Sequence, residues 1–189
     1  MMRIITGRAR GTQLYTLEGE ATRPTAERTK EAVFSALQFE LRGRRVLDLF
    51  AGSGQMALEA VSRGAESAGL VDAAPRAIEI IKKNVQKTHF EAECQVICAD
   101  YADAVRRVSG QFDLVVLDPP YAQRLIASAL DALVSQRKLT DGAIVICESG
   151  DADIWNGNEA LAAHFDVRKT AKYGVAHVTI LEYKEADHE

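Results

Sequence analysis

Short apolar runs alternate with amphipathic stretches along most of this chain from Arg45 onward. The runs predict strands at 45–50, 67–71, 94–98, 112–117 and 143–148, and the stretches between them predict helices near 53–63, 75–88, 101–108 and 122–136. Alternating strands and helices connect through right-handed crossovers into a parallel sheet that is covered on both faces. The pattern therefore predicts an α/β fold.

The C-terminal part of the chain breaks this alternation. A weak helix is expected near 157–164, followed by two β-prone runs at 165–170 and 177–183. Tyr173-Gly174 separates the two runs and is typical of a turn. These residues predict an antiparallel hairpin at the sheet edge, which makes a mostly parallel sheet of seven strands.

The N-terminal segment has a pattern of its own. Two β-prone runs at 3–6 and 12–15 flank a glycine-bounded loop, which predicts a β-hairpin with Arg8 and Arg10 at its tip. Thr25 is a suitable N-cap for a helix that runs to about Leu41. We therefore expect an N-terminal hairpin and helix at 1–44, a core at 45–184 and a disordered tail at 185–189.

Composition and length fit one soluble domain. The chain has 189 residues, of which 47% are apolar, and no apolar run is long enough to span a bilayer. Its first residues show no cleavable signal pattern, and the spacing of the three cysteines predicts neither a disulfide nor a metal site. The expected location is the reducing cytoplasm, and the expected state is a monomer.

Charge is distributed unevenly along the chain. The net charge is −4, but residues 1–45 carry nine bases and five acids, whereas the remainder carries fourteen bases and twenty-two acids. Because neutralising phosphates gives nucleic-acid binding much of its affinity, a basic N-terminal segment on an acidic body is consistent with docking a polyanion. An ordinary solvated surface is the alternative.

A glycine turn follows the first strand of the core and precedes a helix. Glycines at 52 and 54 let the backbone adopt positive φ and let a ligand approach the free N–H groups of the helix start. Further acids follow later strands, and a carboxylate at Asp72 can accept both ribose hydroxyls while Asp100 can accept an adenine amino group. The candidate cofactor residues are Asp48, Phe50, Ala51, Gly52, Ser53, Gly54, Asp72, Ala73, Asp100 and Tyr101.

The glycine turn alone does not identify the cofactor, because it also satisfies the dinucleotide pattern G-x-G-x-x-G/A. Asp48 lies inside the first strand, where a carboxylate suits a cationic amino-acid group better than a pyrophosphate. The chain also has no second nucleotide-binding half and no substrate domain. A P-loop is excluded because no Gly-Lys-Ser/Thr follows the glycines. S-adenosylmethionine therefore fits the pattern better than NAD.

The stretch Asp118-Pro119-Pro120-Tyr121 follows the fourth strand of the core. Two prolines remove two N–H donors and hold the chain extended, which leaves the Pro119 carbonyl and the Asp118 carboxylate as acceptors. Such acceptors can hold both N–H groups of an aromatic amine and direct its lone pair toward a methyl donor. Tyr121 offers a face on which a base can stack. A simple proline turn is the alternative interpretation.

These motifs together resemble a known class of enzymes. The glycine turn, Asp72 and the Asp-Pro-Pro-Tyr stretch resemble the Rossmann-like class I S-adenosylmethionine-dependent methyltransferases that act on exocyclic amines of nucleobases. Nearly the whole chain resembles bacterial 16S rRNA guanine-N2 methyltransferases of the RsmD type. Gln55-Met56 departs from that pattern, which has smaller or aliphatic residues. The matching segments are 2–7, Arg23-Pro24-Thr25, 30–34, 47–54, 58–64 and Tyr173-Gly174.

The resemblance implies transfer of a methyl group to N2 of a guanine in a loop of small-subunit ribosomal RNA, guanine 966 in the family, within an assembling 30S particle. It implies S-adenosylmethionine as donor and no metal. Asp118, Pro119, Pro120 and Tyr121 would then be catalytic, and Arg3, Arg8, Arg10 and Arg23 would contact phosphates.

Three alternatives stay open at this point. Adenine-N6 methyltransferases of DNA or RNA share the Asp-Pro-Pro-Tyr motif, although nothing in this chain resembles a DNA target-recognition domain. A noncatalytic RNA-binding assembly factor could retain the fold, but it would not need Asp118 or Pro119. A small-molecule amine methyltransferase would not need Arg8 and Arg10 outside the cleft.

Overall fold

The computed structural model describes residues 2–17 and 24–185, and its centre is a seven-stranded sheet with the order β3-β2-β1-β4-β5-β7-β6. The strands are β1 Arg45–Asp48, β2 Ser67–Asp72, β3 Cys94–Cys98, β4 Phe112–Leu117, β5 Leu139–Ser149, β6 Phe165–Tyr173 and β7 Ala176–Tyr183. The helices are α1 Pro24–Ala36, α2 Gln55–Ser62, α3 Pro75–Thr88, α4 Tyr101–Arg107, α5 Ile126–Ser135 and α6 Glu159–Ala162, with a short 3₁₀ turn at Tyr121–Gln123.

Strands β1 to β5 are parallel, as the alternating pattern predicts. The chain order reverses direction across the sheet at β1 and β4, which lie side by side in the middle. A ligand crevice forms at such a switch point, outside the carboxyl ends of the strands. Strand β5 begins at Leu139, earlier than predicted, because Leu139 pairs with Phe112 before a register shift in β4.

The C-terminal hairpin is confirmed. Strand β7 runs antiparallel to β5, and β6 pairs with β7 to form the sheet edge. Its turn lies between Tyr173 and Ala176, where the sequence places Tyr173-Gly174.

Apolar side chains fill both faces of the sheet, as expected for parallel strands covered by helices. On one face, Ile144 and Ile146 of β5 belong to a core that includes residues of α1, α2 and α3. On the other face, Val145 and Cys147 belong to a core that includes residues of α4 and α5. No helix in the described part of the chain is long and apolar enough to cross a membrane.

The N-terminal segment forms a hairpin held by a few backbone hydrogen bonds rather than by full strands. Arg3 and Gln13 form an isolated antiparallel bridge, and the Ile4 N–H donates to the Thr12 carbonyl at 3.0 Å. The predicted helix end at Leu41 is wrong, because α1 ends at Ala36 and the chain continues in turns. Leu37 and Leu41 are nevertheless buried, so their apolar spacing reflects core packing rather than helix length.

A buried charged cluster attaches this segment to the core. The Glu59 carboxylate on α2 is fully buried and accepts the N–H groups of Ile5 at 2.8 Å and Thr6 at 3.0 Å. Lys30 of α1 lies 3.7 Å from Glu59 and donates to the Arg3 carbonyl at 2.6 Å. Burial lowers the pKa of Lys30, while the Glu59 charge opposes that effect. The hairpin is thus held against both α1 and α2.

Candidate active site

A cleft of about 650 Å³ lies at the carboxyl ends of the central strands. It brings together residues that follow β1, β2, β3 and β4, which are far apart in sequence. Of the predicted cofactor and catalytic residues, those that line it are Phe50, Gly52, Asp72, Ala73, Asp100, Tyr101, Asp118, Pro119, Pro120 and Tyr121. The switch point of the sheet therefore contains a site large enough for a nucleoside and a base.

The glycine turn between β1 and α2 has the positive φ values that its composition predicts. Gly54 has φ 82°, and a Cβ atom there would lie 2.9 Å from Leu70 Cδ2, so the turn packs directly on β2. The Asn84 side chain of α3 donates to the Ser53 carbonyl at 2.8 Å. The same side chain also holds the backbone of Tyr15, so the turn, α3 and the N-terminal hairpin are joined at one buried amide.

Asp72 lies at the end of β2 and faces the glycine turn. Its Oδ2 accepts the Gly52 N–H at 2.9 Å and its Oδ1 accepts the Ala74 N–H at 2.8 Å. Carboxylate oxygens have more than one lone pair, so these bonds leave room for further donors such as ribose hydroxyls. The position is consistent with the predicted ribose contact.

Asp100 and Tyr101 form another wall of the cleft, after β3. Asp100 is the N-cap of α4 and accepts the Ala102 N–H at 2.9 Å. The rings of Phe50 and Tyr101 lie 5.5 Å apart at an angle of 39°. An acceptor beside two aromatic rings suits a flat base with an amino group.

Four predicted cofactor residues do not line the cleft, namely Asp48, Ala51, Ser53 and Gly54. Asp48 is only 2% exposed and its carboxylate accepts the Phe50 N–H at 3.3 Å, so this side chain lies behind the turn rather than on the cleft surface. Burial, together with the nearby Asp72 charge, raises the pKa of Asp48 to about 7, although backbone N–H groups of Phe50 and Ala57 oppose this. Asp48 thus supports the turn from behind.

The Asp-Pro-Pro-Tyr stretch follows β4 and reaches the cleft as predicted. Pro119 is buried, Asp118 is half-buried, and Tyr121 is 36% exposed at the start of the 3₁₀ turn. The Tyr121 hydroxyl donates to Glu148 Oε1 at 2.7 Å. Acceptors and an aromatic side chain therefore line the same cleft as the residues that follow β1 and β2.

Several residues of the cleft wall were missed at the sequence level. Glu148 is the most informative of them, because it is an acid one residue before the end of β5, and Asp72 is an acid at the end of β2. That strand-end position was the available signal for it. The other missed residues are Met2, Leu17, Leu49, Gln55, Ala74, Ala77, Gln123 and Leu125.

Of the predicted RNA-contacting arginines, the three that the structure describes, Arg3, Arg8 and Arg10, do not line the cleft. Arg8 donates its backbone N–H to the carbonyl of Ser62, the last residue of α2, whereas the glycine turn precedes the first residue. Eight helical residues span about 12 Å, so the hairpin tip lies roughly that far from the turn. Arg8 also contacts Glu93 at 2.6 Å, and Arg3 lies 3.5 Å from Glu27. Arg10 is exposed, and Arg23 lies outside the described residues.

The described ranges, 2–17 and 24–185, contain no group of three or more histidine, cysteine, aspartate or glutamate side chains arranged to bind an ion.

Comparison with known proteins places this chain in a family. The family model described as Conserved hypothetical protein 95 matches residues 2–182, which is nearly the whole chain. The chain belongs to this family. Ribosomal RNA small subunit methyltransferase D of Haemophilus influenzae is 34% identical over 151 residues, which cover 78% of this chain and 78% of that protein.

Solved structures of other proteins have the same fold as this chain. HI0767 from Haemophilus influenzae is 27% identical and superposes with a TM-score of 0.80 over 97% of this chain and 99% of that one. SMU.776, solved in complex with SAH, is 14% identical and superposes with a TM-score of 0.68 over 85% of this chain and 50% of that one. The fold is that of the class I methyltransferases, as predicted.

Proposed function

We propose that the protein transfers a methyl group from S-adenosylmethionine to N2 of a guanine in small-subunit ribosomal RNA. The observation that carries this proposal is that one cleft, at the carboxyl ends of neighbouring strands, is lined by two sets of residues. The glycine turn, Asp72 and Asp100 suit a nucleoside, and Asp118 with Pro119 suits an amine; we call these two sets of residues the nucleoside wall and the amine wall. The relative named a small-subunit rRNA methyltransferase supports the RNA class.

The residues present fit the cofactor. Asp72 can accept the ribose hydroxyls, Asp100 can accept the adenine amino group, and Phe50 and Tyr101 can contact the adenine ring from one side. Bound S-adenosylmethionine supplies an electrophilic methyl group on a sulfonium. Asp48 would hold the N–H of Phe50 and so keep the backbone of the glycine turn in place for that ligand.

The amine wall acts by positioning. The carboxylate of Asp118 and the carbonyl of Pro119 accept the two N–H groups of the guanine amine, which turns the nitrogen lone pair away from the ring and toward the methyl donor. Tyr121 supports the base by stacking, since its ring lines the cleft. Asp118 can also accept the proton that the amine loses after transfer.

The RNA would also contact the protein outside the cleft, at the N-terminal segment. In this proposal the N-terminal residues 1–44, with Arg3, Arg8, Arg10 and Arg23, bind phosphates, while residues 45–184 carry out the transfer. Because Arg8 lies near the far end of α2, its phosphate belongs to a nucleotide some distance from the target base. A substrate of that extent fits a folded rRNA loop in an assembling 30S particle, with guanine 966 as the target and a cytoplasmic monomer as the enzyme.

Radiolabelled S-adenosylmethionine, incubated separately with small-subunit rRNA and with assembled subunits, tests the function. We expect N2-methylguanosine after nucleoside digestion, and primer extension locates the modified position. N6-methyladenosine would replace the proposal by the adenine-specific alternative. RNA binding without any transfer would support the assembly factor instead.

A further inference from the structure

Glu148 lies beside the amine wall, although nothing in the local sequence connects the two. Strand β5 is parallel to β4 with Cys147 opposite Leu117, so Glu148 is level with Asp118 at the carboxyl edge of the sheet. The Glu148 carboxylate lines the same cleft as Asp118 and Pro119. A base whose amine is held by Asp118 therefore presents its neighbouring ring atoms toward β5.

The surroundings of Glu148 leave it able to accept a proton donor from a ligand. Among the described residues, Tyr121 is its hydrogen-bond partner and occupies Oε1, so Oε2 can accept another N–H. No lysine or arginine in the described ranges forms an ion pair with it. Burial raises the pKa of the Glu148 carboxyl above its ordinary value, and the Tyr121 hydrogen bond opposes this. A half-buried carboxylate of this kind gains from an added donor.

Guanine offers such a donor directly beside its amine. Its N1–H and N2–H groups point the same way, whereas adenine has an unprotonated N1 beside its amino group. A carboxylate next to the amine site accepts the N1–H of guanine and repels the N1 lone pair of adenine.

We propose that Glu148 is the residue that selects guanine, by accepting its N1–H while Asp118 and Pro119 hold the N2 amine. The inference rests on the proposed function and names the specificity element of the same site. Tyr121 then has a second role besides stacking on the base, because its hydroxyl orients the Glu148 carboxylate.

An RNA with 2-aminopurine at the methylated position separates the two contacts. This base keeps the 2-amino group but has an unprotonated N1. The wild-type enzyme should have a kcat/KM at least about tenfold higher for guanine than for 2-aminopurine. One good hydrogen bond to a base typically separates the right base from the wrong one by about this factor. Glu148→Gln should reduce or reverse this preference, because the glutamine carbonyl can still accept from Tyr121 while its NH₂ donates to N1 of 2-aminopurine.

Glu66→Gln is the matched control, since Glu66 is exposed just before β2 at the opposite edge of the sheet. It should keep the wild-type preference. If Glu148→Gln lowers kcat/KM equally for guanine and 2-aminopurine, so that the preference is unchanged, the role of Glu148 is structural. That result, or no change in either kcat/KM, would overturn the inference but would not contradict the proposed function. Absence of any guanine methylation by the wild type would overturn both.

A second measurement requires no variant, in case Glu148→Gln does not fold. RNA with inosine at the target retains N1–H but lacks the amine, and RNA with unsubstituted purine lacks both. We expect the inhibition constant of the inosine RNA for the wild-type enzyme to be at least about fivefold lower than that of the purine RNA. Equal inhibition by the two RNAs would contradict recognition of N1–H.

Discussion

Asp72 accepts the backbone N–H of Gly52 at 2.9 Å, so the carboxylate at the end of β2 and the turn after β1 are directly joined. Residues 20 positions apart thereby form one unit of the cleft wall. The bond explains why an acid at this strand end matters to the turn as well as to a ligand.

Replacing Asp72 should therefore weaken cofactor binding strongly. Asp72→Ala is expected to lower the affinity for S-adenosylmethionine by about 10²-fold, because it removes charge-assisted hydrogen bonds to the ribose and a support of the turn. Isothermal titration calorimetry measures the affinity. Asp131→Ala, which changes an exposed carboxylate on α5, should leave it unchanged. An affinity within about threefold of wild type for Asp72→Ala would contradict the ribose contact.

Asp118 should act on transfer rather than on cofactor binding. We expect Asp118→Ala to lower the rate of RNA methylation by at least about 10²-fold at saturating donor, the usual loss when a positioned polar group is removed from an active site. Its affinity for S-adenosylmethionine should stay close to that of the wild type. Turnover near the wild-type rate, in a folded and cofactor-binding variant, would rule out the role of Asp118 in holding the amine.

Asp48 should make folding stability depend on pH. Its pKa rises from 3.8 to about 7 on burial, so the folded state binds the proton more tightly than the unfolded state. The stability that this group contributes is therefore greatest below pH 3.8. It falls as the pH rises from 3.8 to about 7, and it does not change further above that pH. The total change is about 4 kcal/mol, from three pKa units at about 1.4 kcal/mol each.

The variant Asp48→Asn removes this titration. Urea denaturation at about pH 5 and about pH 8 should show that the difference in unfolding free energy between variant and wild type shifts in favour of the variant at the higher pH. Comparing the two proteins cancels the titration of all other carboxylates. A difference that does not change with pH would show that Asp48 titrates at an ordinary pKa.

Glu59 should be important for attachment of the N-terminal hairpin. Glu59→Ala leaves the N–H groups of Ile5 and Thr6 without their acceptor and leaves Lys30 buried without its counter-charge. We expect a loss of about 3–5 kcal/mol in unfolding free energy, the usual result of breaking a buried ion pair on one side. Glu79→Ala, on the exposed face of α3, serves as control. A loss below about 1 kcal/mol would show that the hairpin is held by other contacts.

The hairpin arginines should affect RNA binding through charge. In the double variant Arg8→Glu and Arg10→Glu, methylation at subsaturating RNA should fall, and its dependence on salt concentration should weaken because fewer phosphates are neutralised. The matched control reverses Arg106 and Arg107, which are exposed on α4. If the hairpin variant retains both the rate and the salt dependence of the wild type, the hairpin is not a docking surface.

Local pattern predicted the core strands and most helices and motifs of this protein, although it extended α1 beyond Ala36 and started β5 after Leu139. The apolar runs of β1 to β5 differ from the helical stretches in period, and glycine pairs and proline pairs restrict the backbone wherever they occur. The glycine turn and the Asp-Pro-Pro-Tyr stretch follow from these properties, because each depends on residues that are adjacent in the chain. Their common position at the switch point follows from the rule for open parallel sheets.

Contacts between distant residues required the tertiary structure. Glu148 meets Tyr121 because β5 lies beside β4, and Asp48 is buried because the central strand is covered on both faces. Arg8 lies at the far end of α2 because its N–H binds the Ser62 carbonyl. Hydrophobic periodicity shows which face of an element is buried but not which element covers it. Sequence therefore determined the parts of this site, and strand order with packing decided which side chains reach the ligand.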